Sequence, residues 1–159
     1  VQCDQIRRQL EHYPRDRADL ERQIADHRTA VSAARERLKE FELRRKDLEG
    51  RIAAEEEQLR KYRNQQLSVK KNEEYRAFEQ EIATCQERIE ALENEDLDVL
   101  MKIDEATDTL RAAESAANED IAVLEGHIER LRANEAEARE QLGEAERRAA
   151  AAAEMLEPG

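Results

Sequence analysis

Tryptophan is absent from this 159-residue sequence, and two phenylalanines and three tyrosines are its only large aromatic residues. A compact globule of this length needs a three-dimensional core rich in large apolar side chains, and so few rings do not fill one. Cysteine occurs only as Cys3 and Cys85, too sparse for a disulfide scaffold or a metal site, which points to a reducing cytoplasm. No run of about 18 apolar residues exists, so no segment reads as a membrane span. The N-terminus lacks a signal-peptide core, and the chain opens on Val1 rather than Met, as a fragment would. There is no glycine-rich phosphate loop, nucleophile elbow or paired-histidine motif. Adjacent carboxylates are plentiful but fall on solvated helix faces, whereas acid–base catalysis needs groups positioned in a concave site. The expectation is a non-enzymatic chain with no catalytic, cofactor-binding or metal-binding residues.

What is present is charge. Asp, Glu, Lys and Arg make up 42% of the chain, and the net charge is −12. Such a surface does not as a whole attract phosphate backbones or anionic membranes, so an anionic partner has to use a local basic patch. The bias toward Ala, Glu, Arg, Leu and Gln, with only four glycines and two prolines, fits long helices or a coiled coil. High charge and low hydropathy also fit disorder, and periodicity decides between them. Stepping alternately four and three from Ile6 gives Leu10, Tyr13, Arg17, Leu20 and Ile24. The series then runs through Leu48, Ile52, Glu55, Leu59 and Tyr62 to Gln66. Most of these positions are apolar, and the residues between them are mostly charged. Disorder does not hold phase for this long; one narrow seam facing a partner helix does.

The series resumes at Tyr75 and Phe78 and continues through Ile82, Cys85, Ile89 and Leu92 to Ala113. There two steps of four follow each other, Ala113–Ala117–Ile121, a stutter that locally unwinds a left-handed supercoil. Two such helices bury their seams most economically on each other. The expected fold is all-α: one elongated domain, 1–159, forming a long antiparallel two-helix coiled-coil hairpin. Its parts are an N-terminal helical piece over 1–13, a first long helix over 14–66, a turn at 67–71 and a second long helix over 72–156. A helix stop follows at 157–159. Pro14 lacks an N–H and crowds the preceding turn, so a kink or a short separate helix is expected before it. Asn72 is placed to cap the second helix, with Glu73 and Glu74 favouring its positive end, and Ser68 is the alternative cap. Tyr75 and Phe78 are expected to close the seam against Tyr62 and Leu59.

Reversal near residue 69 brings the polar seam positions Arg45 and Asp96 close together, and Arg17 near Asp120. These pairs read as register devices, because removing one member of a buried pair is far costlier than replacing both. The alternative is that the arginines snorkel outward into water. Cys85 falls in the seam as a small apolar residue. His12, His27 and His127 show no ligand spacing. One stretch is unlike the rest: Arg60, Lys61, Arg63, Lys70 and Lys71 lie in a segment with no acidic residue from Leu59 through Lys71. It reads either as a solvated turn or as a candidate partner-binding tip for an acidic protein or a nucleic-acid backbone.

The stretch from Leu67 through Lys70, Lys71, Asn72, Glu73, Glu74, Tyr75, Ala77 and Phe78 to Ile82 resembles the VKxNxEYxALxxEI-type signature of a bacterial family. That family joins a coiled-coil hairpin to a C4-type zinc ribbon. Asp4, Tyr13–Pro14, Leu92–Glu93 and the terminal Leu156–Glu157–Pro158–Gly159 are similar as well. The resemblance implies a cytoplasmic bacterial scaffold or adaptor whose partners include nucleic acid, sigma-class transcription factors and secretion or flagellar components. It puts zinc only in a C-terminal ribbon with two CxxC pairs, and this chain has neither. Three functional readings stand: a protein-binding scaffold, a nucleic-acid-binding module using the basic tip, and a structural spacer rod. Leu43 and Leu67, outside the seam, leave room for a homodimer.

Overall fold

The computed structural model describes residues 2–156, so the expected stop at 157–159 lies outside the described residues. The chain forms two helices, α1 (Gln2–Ser68) and α2 (Asn72–Leu156), which pack against each other as a helical hairpin. Every α1 position in the four–three series from Ile6 to Gln66 is buried or half-buried. In α2 the series holds from Phe78 to Ala145, and burial follows the two successive steps of four at Ala113, Ala117 and Ile121. Neither helix is long and apolar enough over any stretch to cross a membrane.

Three local expectations need correction. α1 runs unbroken through Pro14, so of the two expectations there, a kink or a short separate helix, the separate helix does not occur. Pro14 lies on the exposed side of α1, where the ring meets solvent and the freed Leu10 carbonyl is open to hydration. The turn is shorter than expected, 69–71, because α1 extends through Leu67 and Ser68. Ser68 therefore caps nothing in α2; its hydroxyl donates back to the Asn64 carbonyl at 3.4 Å. Finally, the Tyr75 N–H donates to the Lys71 carbonyl at 3.1 Å. That is the first helical hydrogen bond of α2, which makes Lys71 the cap position and Asn72 the first helical residue.

The described residues divide into two compact units. The terminal unit joins residues 2–31 to 113–156, and the turn unit is Ser32–Ala112. In the terminal unit, Leu20 and Ile24 of α1 pack with Ile121, Leu124 and Ile128 of α2. Ion pairs join the two helices of this unit: Arg28 to Glu125 at 3.9 Å and Arg7 to Glu146 at 3.1 Å. Donation to the Glu146 carboxylate holds the Arg7 guanidinium above its ordinary pKa.

The turn unit has the tightest packing, with Leu48 at 0% and Cys85 at 1% relative exposure. Burial, followed by the nearby Glu55 carboxylate, pushes the Cys85 thiol pKa up. Phe41 is covered by cations from both helices, Arg37 at 5.4 Å and Lys102 at 6.0 Å from the ring centroid. Phe78 packs against Tyr62 with centroids 6.2 Å apart.

Register separates the units. In the turn unit, Arg45 Nε lies 3.5 Å from Asp96 Oδ1 and Arg44 lies 3.0 Å from Glu95, as a reversal near residue 69 requires. In the terminal unit Arg17 does not meet Asp120. It donates to Glu135 at 2.9 Å, roughly four helical turns further along α2, and Asp120 lies 3.2 Å from His27 Nε2. The phase slip at Ala113–Ala117–Ile121 lies between the two pairs, but a step of four in place of three moves the α2 seam by a single residue and does not account for a displacement of this size.

Candidate functional site

The end of the hairpin at the turn is built by a chain reversal made without glycine. Among the described residues no φ is positive, so Val69, Lys70 and Lys71 reverse the chain in ordinary conformations. Two hydrogen bonds hold the reversal: the Val69 N–H donates to the Gln66 carbonyl at 3.4 Å, and Gln66 Nε2 reaches across to the Tyr75 carbonyl at 3.3 Å. Gln66 is the last α1 seam position, so the layer opposite Tyr75 is polar. The Tyr75 ring finds no apolar wall there and stays 45% exposed. Phe78 closes the seam, and Tyr75 does not.

All five basic candidates, Arg60, Lys61, Arg63, Lys70 and Lys71, are exposed. Arg60 forms an i,i+3 ion pair with Glu57. Among the described residues no carboxylate lies within ion-pair distance of Lys61, Arg63, Lys70 or Lys71. The sequence favours this, since Glu57 and Glu73 bracket the cluster from outside. Four cations thus stand free at one end of a chain whose net charge is −12. Such an arrangement draws anionic groups to that end and repels them elsewhere.

Beside one of these cations, Arg63, lies a groove of about 440 Å³. It is walled by Arg63, Gln66 and Leu67 from α1 and by Glu79, Ile82, Ala83 and Gln86 from α2. The seam periodicity gave no sign of it, because Leu67, Glu79, Ala83 and Gln86 are off-seam positions. Leu67 stands at the groove with 84% of its surface in water. Its apolar character outside the four–three series is the signal that marks it.

The register residues form two further polar sites. Arg45 and Asp96 approach to ion-pair distance, yet Arg45 Nε and Asp96 Oδ1 are both buried without a hydrogen bond. Arg45 is also 3.4 Å from Glu49. Glu135 was not singled out by chemistry, although it fits the spacing between Leu131 and Ala138. Its side chain is only 10% exposed, and it accepts from Arg17 at 2.9 Å and from Arg139 at 2.8 Å. Among the described residues no group of three or more His, Cys, Asp or Glu side chains is placed to hold a metal ion. With Cys3 and Cys85 in different units and no CxxC pair, a C4 zinc ribbon does not fit these residues. No protein-family model, curated protein or solved structure matches the chain.

Proposed function

We propose that this chain is a non-catalytic scaffold or adaptor whose turn end is the contact point for a protein partner. The observation that carries the reading is that free cations and an exposed apolar side chain share that end: Lys61, Arg63, Lys70 and Lys71 are exposed there, and Leu67 stands with Arg63 at one groove. The seam residues are occupied with each other, so they are not available to a partner without opening the hairpin. The resemblance of residues 67–82 to the zinc-ribbon hairpin family supports the same class. It also suggests a bacterial, cytoplasmic setting connected to transcription or to secretion and flagellar regulation. A nucleic-acid-binding role for the tip is the second reading, favoured by the acid-free stretch from Leu59 through Lys71.

Affinity capture on the immobilised chain tests the choice. Proteins retained after nuclease treatment, and lost when Lys61, Arg63, Lys70 and Lys71 are all changed to Glu, support the adaptor reading. Retention that disappears with nuclease overturns it in favour of nucleic acid. Retention unaffected by the charge reversal removes the turn end from the reading.

A further inference from the structure

We infer that the groove between the end of α1 and the start of α2 docks a short acidic amphipathic segment of a protein partner, an inference that rests on the adaptor reading above. Its lining joins the apolar Leu67, Ile82 and Ala83 to Arg63 and Glu79. A lone exposed leucine on a surface is ordinary. Leu67 differs because it stands at a groove, with Arg63 one turn before it and Lys70 and Lys71 just after it. Transferring such a side chain from water to an apolar contact is worth on the order of tenfold in affinity.

Charge selects the partner. The five cations from Arg60 to Lys71 fall within an acid-free stretch, so the rest of the chain is more acidic than the net −12. An acidic segment is therefore repelled along both helices and drawn to this end. The same features argue against a polyanion. A phosphate backbone gains nothing from Leu67, Ile82 and Ala83, and Glu79 on the wall with Glu73 and Glu74 after the turn lies in the way of a continuous run of phosphates. A peptide helix can set carboxylates against Arg63, Lys70 and Lys71 and an uncharged residue against Glu79, with apolar anchors at spacings of three and four entering the groove. The larger groove in the terminal unit, about 490 Å³, lacks this combination. Its apolar residues Leu20 and Leu131 are already half-buried, and its mouth carries Asp16, Asp19 and Arg130 together.

The test uses the whole chain and a fluorescein-labelled peptide of roughly 15 residues, near the length at which isolated helices become marginally stable. The peptide carries Leu at helical spacings of three and four, with Glu elsewhere. Fluorescence anisotropy is expected to show salt-sensitive binding. Combined Arg63→Glu, Lys70→Glu and Lys71→Glu changes should weaken it by about tenfold or more, and Leu67→Ser by roughly fivefold to tenfold. Leu43→Ser, which alters an exposed leucine of the same unit away from the groove, should leave it unchanged. All these positions are exposed, and circular dichroism checks that helicity is kept. Binding insensitive to Leu67→Ser or to the charge reversal overturns the inference. If no peptide binds while nuclease-resistant protein capture persists, docking at this groove falls and the adaptor reading survives. If a single-stranded RNA of similar length binds more tightly than the peptide and is lost on charge reversal, both fall.

Discussion

In the terminal unit Glu135 lies in the seam and accepts from two arginines, one on each helix. In the turn unit Arg45 and Asp96 occupy equivalent seam positions, but their buried Nε and Oδ1 atoms make no hydrogen bond. Both arrangements put charge in an apolar stripe, where desolvation opposes the Coulombic gain and satisfied hydrogen bonds decide the balance. The units also differ in apolar packing. The turn unit holds both side chains sealed from water, Leu48 and Cys85, whereas the terminal unit relies on a looser cluster around Ile24, Leu124 and Ile128. Buried apolar residues otherwise occur in both units alike, so polar satisfaction in the seam is what separates them most clearly.

The largest effect that can break this contrast is Leu48→Ala. Removing a fully buried leucine should cost the turn unit about 3 kcal/mol, read as lost amide hydrogen-exchange protection there. Equal loss in both units would mean that they unfold as one. Pro14→Ala should act in the opposite direction on the terminal unit. It restores a helical hydrogen bond, and urea denaturation should show a gain of roughly 1–2 kcal/mol, less than the full interior proline penalty because Pro14 faces solvent. A smaller effect separates the polar sites. Double-mutant cycles should give a coupling of about 1.5 kcal/mol for Arg17 with Glu135 and below about 0.5 kcal/mol for Arg45 with Asp96. Equal couplings would erase the distinction.

The smallest effect is alkaline. The folded Cys85 thiol pKa is raised above its ordinary 9.0, chiefly by burial. Its contribution is therefore intact below the unfolded-state pKa and is lost as pH rises toward the folded one. Turn-unit stability should fall above about pH 9, and Cys85→Ala should remove that dependence. A profile unchanged by Cys85→Ala would assign any alkaline loss to other groups.

Much of the fold is legible because the hairpin is written as a period. The steps from Ile6 to Gln66 and from Phe78 to Ala145 name nearly every buried residue, since a side chain's place on a helix follows from its number alone. Pairing across the helices is less legible. Arg45 and Asp96 pair as counting back from the turn gives, whereas Arg17 meets Glu135, a displacement that the seam spacing does not encode. The basic residues of the candidate site were readable as an absence of acids. The groove was not, because it depends on how Leu67 and Ala83 flank a seam they do not belong to.

The cross-turn bond from Gln66 to the Tyr75 carbonyl spans only nine residues, whereas Arg7 reaches 139 residues to Glu146. Closing a short loop costs far less chain entropy than closing a long one, and contacts of small sequence separation form early. The turn is therefore where folding should begin, with pairing advancing layer by layer toward the chain ends. On this view Leu59 and Phe78 belong to the folding nucleus, and Ile24 and Leu124 do not. Truncating Leu59 or Phe78 should slow refolding, while truncating Ile24 or Leu124 should mainly speed unfolding. Stopped-flow kinetics giving the reverse assignment would place the nucleus in the terminal unit instead.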